Sequence, residues 1–284
     1  MAVALVAVST SGPLMAAAAA PAFAIAFWRN ALGTAAITPF ALARHRDELA
    51  RLDRREWAFA LLAGAMLAAH FATWVPALTL TSVASATALV CTQPVFTALL
   101  ARAGGQVVPG RAWLGMAIAL VGVLLLTGVD LSLSTRSLVG DLLALLGGFF
   151  AAAYVTAGAE VRRSVSTTSY TFVCYGFCAG LLLAACLLGR VQLVGFSGRT
   201  WLELVALTLG AQLLGHSLFN VVLRTTSAMV VSLVLLFETP GAALIAALWL
   251  HQVPPRGVLP AAALLLLGVA VVIRSGSAAP VEAP

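Results

Sequence analysis

Thr226–Leu250 reads TSAMVVSLVLLFETPGAALIAALWL and holds a single ionisable residue, Glu238, two positions before Pro240. The run is long enough to cross a bilayer, which takes about 20 apolar residues as a helix. A carboxylate at mid-span costs about 2.5 to 3.5 kcal/mol on insertion scales, so it is expected to face an interior cavity or a partner rather than lipid. The proline beside it removes a backbone hydrogen bond and bends the helix. A second stretch, Val83–Arg102, reads VASATALVCTQPVFTALLAR and places Gln93-Pro94 146 positions before Thr239-Pro240.

Working outward, 62% of the chain is hydrophobic and 9% charged, against about 45 to 50% and about 25% in soluble domains. The composition is that of a polytopic membrane protein. The net charge of +6 does not point to nucleic acid, because all 16 cationic side chains are arginines clustered between apolar runs, not along one polar face. The four cysteines, Cys91, Cys174, Cys178 and Cys186, lie inside apolar runs without ligand-spaced neighbours, and read as small buried hydrophobes. No metal site or cofactor is expected. The N-terminal stretch 1–26 has Ala-x-Ala sites but no basic leader, so it reads as a span and not as a signal peptide.

Ten spans follow: Ala2–Ala18, Ala22–Ala43, Trp57–Leu78, Val83–Ala101, Ala112–Gly128, Val139–Gly158, Ser169–Leu188, Trp201–Leu223, Thr226–Leu250 and Val258–Ile273. Their length and lack of apolar/polar alternation make them helices and not barrel strands. The polar connection Arg44–Glu56, RHRDELARLDRRE, reads as a cytoplasmic surface helix with a solvated face. With the N-terminus inside, eleven arginines fall on the cytoplasmic side and four outside, leaving Arg29 within a span. Both termini are therefore expected in the cytoplasm; the membrane expected from the functional reading below is a bacterial inner membrane.

At an offset of 146, Gly64 falls on Gly210, His70 on His216, Thr79 on Thr225, Pro94 on Pro240, Gln106 on Gln252 and Gly122 on Gly268. The chain thus reads as two repeats: 1–128 and 137–276, with a linker over 129–136 and a tail over 277–284. Each repeat holds five spans, an odd number, so the second copy should sit upside down relative to the first. The fold class is all-α integral membrane, ten transmembrane helices as two inverted five-helix repeats. Inverted repeats are a plan of secondary transporters, with the substrate site near the midplane.

Several stretches carry a resemblance. In the first half they are Pro21 followed by Arg29, QPVFTALLAR, and GQVVPGRAWLGMAIALVGVLLL. In the second they are GDLLALLGGFFAAAYV, FETPGAALIAALWLHQ and GVLPAAALLLLGVAVV. On these the chain resembles a ten-helix member of the drug/metabolite transporter superfamily with two EamA-type halves. The resemblance implies transport of a small molecule and leaves the substrate open. Gln106 and Gln252 depart from it, standing where such halves usually carry a glutamate.

Among polar residues within spans, Thr208, Gln212, His216 and Asn220 recur every four positions, which puts them on one helix face. Such a stripe either lines a cavity or supplies interhelical hydrogen bonds. The repeat maps it onto Met66, His70 and Trp74. Arg29 stays charged at any accessible pH and needs an anionic ligand, carbonyls or a carboxylate, most simply Glu238. Gln93 can bond a substrate or satisfy the backbone freed by Pro94; Tyr175, 146 positions after Arg29, is a cavity donor or core. Gly176 with Gly180, and Gly115 with Ala119, are small-residue steps that allow close helix approach.

The candidate substrate-binding set is Arg29, His70, Trp74, Gln93, Tyr175, Gln212, His216 and Asn220, with Glu238 as the coupling residue. The function expected is a secondary transporter, an exporter of a small metabolite or drug-like compound working by alternating access. No phosphate-binding loop of the GxxxxGK[ST] type is present, so the energy must come from an ion gradient or the substrate's own. The expected partners are a small-molecule substrate, the lipid bilayer and protons, with no nucleic acid, in a monomer or homodimer. The alternative, an intramembrane enzyme acting on a lipid or isoprenoid, would need paired carboxylates or a His–acid set that the spans lack.

Overall fold

Helix is the only regular structure among the described residues of this computed structural model, which are 1–81, 86, 89–127, 134–249 and 258–275. The expected linker 129–136 lies mostly outside them. The tail 277–284, Gln252 and much of the first part of the fourth span lie outside as well. Helices suit a chain in lipid because each satisfies its own backbone. Four of them, Arg54–Ala77, Thr135–Val161, Thr167–Leu188 and Gly198–Val222, are long and apolar enough to cross a membrane by length and composition. Helix starts are written in the sequence: Asp53 and Glu56 form a reciprocal capping box. Ser134, Ser166, Ser197 and Ser227 each accept a backbone N–H at the head of the sixth to ninth spans.

Among the described residues, four spans depart from straight α-helix. The first is two pieces, Ala2–Ser9 and Ser11–Ala17. The eighth, Gly198–Val222, contains a π-helical stretch, Thr208–His216. The ninth was expected to bend at Pro240, but it is broken: Ala228–Leu235 ends, Leu236 and Phe237 form a turn, and a new helix runs from Glu238 to Trp249. The fourth breaks in the same way at Cys91 and Thr92, before the helix Gln93–Ala103. Each proline then sits in the first turn of a new helix, where its missing N–H has no partner to lose.

The packing has a two-fold plan. The second span (Ala22–Arg44) lies on its repeat mate, the seventh (Thr167–Leu188); the fifth (Gly110–Thr127) lies on the tenth (Val258–Arg274), and the fourth on the ninth. The third packs on the sixth as the eighth packs on the first; the third packs on the seventh as the eighth packs on the second. Exchanging the repeats maps the first three of these contacts onto themselves and turns the others into one another. The main core, including Val8, Leu67, Phe71, Tyr154, Cys174, Tyr175, Leu182 and Phe219, joins the first, third, sixth, seventh and eighth spans. A second core, including Cys91, Ala98, Met116, Leu233, Leu265 and Val272, joins the fourth, fifth, ninth and tenth. All four cysteines are buried and free.

Close approach in the second core rests on small residues. A Cβ built on Gly268 would lie 2.5 Å from the Gly115 carbonyl and 2.8 Å from Ala119 Cβ. The Gly115/Ala119 step is thus an intrachain contact between fifth and tenth spans. Gly176 and Gly180 make no comparable approach: Gly180 has nothing within 4 Å, and Gly176 meets only Thr34 at 3.5 Å.

Candidate functional site

Arg29 stands at the junction of the two repeats, on the second span, and is 1% exposed. Its Nε donates to Gln212 Oε1 at 2.9 Å and its Nη1 to Ser11 Oγ at 3.4 Å, while its Cζ lies 4.7 Å from the centre of the Phe71 ring. Its Nη2 is buried without a hydrogen-bond partner. No Arg29–Glu238 ion pair is made, so the simplest structural partner foreseen for this arginine is replaced by a neutral amide and a hydroxyl. Glu238 lies instead at the break of the ninth span.

Gln212 is held at both ends, since its Nε2 donates to Asn30 Oδ1 at 3.0 Å. Asn30 in turn donates to the Ala26 carbonyl one turn back. A second cluster continues toward the face that carries Arg44. Tyr154 donates to Asn220 Oδ1 at 3.1 Å, Asn220 Nδ2 donates to Tyr175 at 3.3 Å, and the Tyr175 hydroxyl is 3.3 Å from Ser217 Oγ. Ser217 donates to the Gln212 carbonyl five residues back, inside the widened π turn, and so links the two clusters. In this conformation Thr208, Gln212 and Asn220 make hydrogen bonds, two of them interhelical, and all three are buried; Leu214, on another side of the helix, is 53% exposed. The fourth member of the stripe, His216, is half-buried and makes no side-chain hydrogen bond among the described residues.

His70 and Trp74 form one stacked unit, with ring centres 5.7 Å apart and planes 12° from parallel. His70 Nδ1 donates to the Gly147 carbonyl at 3.0 Å, which leaves Nε2 free to accept. Trp74 Nε1 is buried and unpartnered. Phe71 joins this unit to Arg29, lying 5.1 Å from His70 and beneath the guanidinium.

Gln93 stands apart, on the seam of the two broken helices. Its Nε2 donates to Ser232 Oγ at 3.0 Å, which also meets Thr97 Oγ1 at 3.0 Å, and Cys91 lies 3.4 Å from Thr239 Oγ1. Glu238 opens the second half of the broken ninth span. It is half-buried, and its carboxylate has no hydrogen bond or ion pair among the described residues.

On the face carrying Arg44, the connection 45–53 is not only a solvated helix. A short helix, Arg46–Arg51, presents Glu48 to the head of the seventh span. The carboxylate accepts from the Ser166 N–H at 2.7 Å, from the Ser166 and Ser169 hydroxyls at 2.5 Å each, and from His45 Nδ1 at 3.0 Å. Partial burial pushes this carboxyl up, but the bonds from Ser166, Ser169 and His45 outweigh it and hold the group down at about 2. Beside it, Ser164 donates to Glu56 and Arg55 pairs with Glu160 at 2.6 Å. Arg162, 4% exposed, runs inward: its Nε donates to the Asn220 carbonyl at 2.9 Å and its Nη1 to the Val165 carbonyl. On the opposite face Trp28 Nε1 donates to the Leu193 carbonyl at 2.7 Å, and Trp28 packs edge-on against Trp201.

Of the foreseen residues, Arg29, Tyr175, Gln212 and Asn220 are joined by hydrogen bonds. His70 and Trp74 lie beside them through Phe71, and Gln93 belongs to another seam. Sequence reasoning passed over Ser11, Asn30, Tyr154 and Ser217. Asn30 was detectable as a second polar residue beside Arg29 in an apolar run, whereas Ser217 lies off the four-residue stripe. A cleft of about 280 Å³ between the second, seventh and eighth spans, lined by Ile37, Phe40, Thr168, Thr171, Leu213 and Ser217, ends beside the Tyr175 cluster.

The model of the EamA-like transporter family matches residues 1–128 and again 138–274. A solved structure described only as the crystal structure of a protein superposes with a TM-score of 0.80 at 21% identity, covering 96% of this chain and 94% of that one. At that identity the likeness concerns the fold alone. No curated protein matches the chain.

Proposed function

The chain belongs to the EamA-like transporter family, and from that premise we propose that it is a secondary transporter that exports a small metabolite or drug-like compound across a bacterial inner membrane. Its apolar helices make it a multi-pass membrane protein. In the proposed mechanism the two halves are inverted repeats that rock about the Arg29 region and open it alternately to either side. The observation that carries the reading is the polar cluster around Arg29, built from both repeats at the point where they exchange contacts. A buried guanidinium with an unpartnered nitrogen, linked through Phe71 and His70 to an unpartnered indole N–H, is a surplus of donors, which suits a substrate bearing an acceptor group.

Glu238 is proposed as the proton-sensitive element. It lies at the break of the ninth span, in the same apolar bundle as Arg29 and without an ion pair to it. A rocking motion that brings the two together would favour the ionised form, and one that separates them in a dry site would favour the protonated form. Uptake and efflux in proteoliposomes, with and without a proton gradient, test the whole reading. Obligate proton antiport collapses without the gradient, facilitated diffusion persists in both conditions, and the absence of solute movement over a screen of amino acids, nucleosides and toxic cations overturns the proposal.

A further inference from the structure

Two loops from different repeats are joined more firmly on the face carrying Arg44 than a surface connection needs. Glu48 takes four donors on one carboxylate, three of them from the first turn of the seventh span, and Glu56–Ser164 and Arg55–Glu160 flank it. Bonds to an ionised acceptor are about twice as strong as neutral ones. The Glu48 side chain is nevertheless 30% exposed, so water can take over its bonds when they part and no charge is left stranded. The junction also reaches inward. Arg162 ties the same loop to the Asn220 carbonyl, and Asn220 is bonded to Tyr154 and Tyr175 at the edge of the Arg29 cluster.

The geometry points to Glu48 as the latch of a gate on this face: its bonds to Ser166 and Ser169 hold the seventh span against the 45–53 connection, and they must break for the polar cluster to open there. The inference rests on the alternating-access reading above and adds to it the residue that closes one side. The repeat supplies a counterpart on the other face, where the connection after the seventh span meets the start of the second through Trp28 and the Leu193 carbonyl. Both contacts are made here, and Arg29, Ser11 and Gln212 between them are each 3% exposed or less.

The test uses the full-length protein in sealed vesicles of known orientation, with the four native cysteines replaced and a single reporter, Ser11→Cys, beside Arg29. A hydrophilic maleimide is added from one face at a time. Glu48→Gln should raise the labelling rate from the Arg44 face by about tenfold, the scale of one lost bond to a charged group, and leave the rate from the other face unchanged or lower. Ser169→Ala, which spares the Ser166 helix cap, should act in the same direction and keeps the test open if Glu48→Gln does not fold. If folded variants of both kinds label at the background rate while solute transport is measurable and the reporter reacts during turnover, the latch is overturned and alternating access stands. If the reporter reacts from neither face in any variant and no solute moves, alternating access itself fails, and the latch with it.

Discussion

Arg29 is expensive to bury, and its partners are neutral: an amide, a hydroxyl and the face of Phe71, with one nitrogen unpartnered. If Arg29 serves the proposed transport, it does so at the expense of stability. Arg29→Met, which keeps an unbranched stem and removes the charge, is expected to abolish transport while leaving the thermal stability of the purified protein unchanged or higher; a large loss of stability would mark Arg29 as structural. Arg29→Lys keeps the charge and loses the planar fork. If Arg29 binds the substrate, apparent affinity should fall about tenfold or more, measured by substrate-concentration dependence in proteoliposomes. Glu238→Gln retains size and hydrogen bonding but cannot titrate; it should still exchange substrate across the membrane and no longer accumulate it against a pH gradient. Retained accumulation would shift coupling to His70, His216 or the substrate. Glu48 behaves otherwise. Because its folded value of about 2 is below the ordinary 4.5, its contribution is fully present above the ordinary value and is lost only as pH falls toward the folded one. Across about pH 5 to 8 Glu48 itself stays ionised, so its own titration adds no pH dependence to the latch in that window.

Helices and their contacts were legible in the sequence to different depths. Span positions followed from apolar runs, and the stripe on the eighth span followed from four-residue spacing, because both are local. The π stretch Thr208–His216 was not legible: Gly210 and Gly215 lie within it, and Gly215 packs where a Cβ would fall 2.5 Å from a Val8 side-chain atom, a tertiary contact with the first span. Partner choice was equally hidden. Opposite charge favoured Glu238 for Arg29, but packing brought Gln212 and Ser11 to it. Small-residue steps are ambiguous for the same reason, since Gly115 and Gly180 stand in similar patterns and only one meets a helix. Gly268→Val should therefore destabilise the fifth–tenth contact by about 1 to 3 kcal/mol or more through overpacking. Gly180→Ala, with open space around it, should be neutral or slightly stabilising. Thermal unfolding of the two variants in one detergent checks the contrast.

For the whole molecule, contacts between loops constrain the path of the chain. Arg55 meets Glu160 and Glu48 meets Ser166, so the chain crosses the bundle an even number of times between the end of the second span and the end of the sixth. Trp28 meets Leu193, which requires an even number between the start of the second and the end of the seventh. Both parities agree with five crossings per repeat, and an odd number per repeat is what turns the second copy over. Inversion then makes the two faces equivalent in plan but not in chemistry. One is held by a carboxylate with hydroxyl and imidazole donors, the other by an indole N–H on a carbonyl among Trp201 and Phe196. The pair of contacts should therefore answer to opposite lesions. Trp28→Phe keeps the aromatic packing and removes the donor to Leu193, so it should raise labelling of Ser11→Cys from the face opposite Arg44, the reverse of Glu48→Gln. Combining the two changes should raise labelling from both faces and uncouple transport from any gradient, because neither side is then held closed while the other opens. If Trp28→Phe instead raised labelling from the Arg44 face, the two contacts would not be counterparts, and the two-fold plan of packing would not extend to gating.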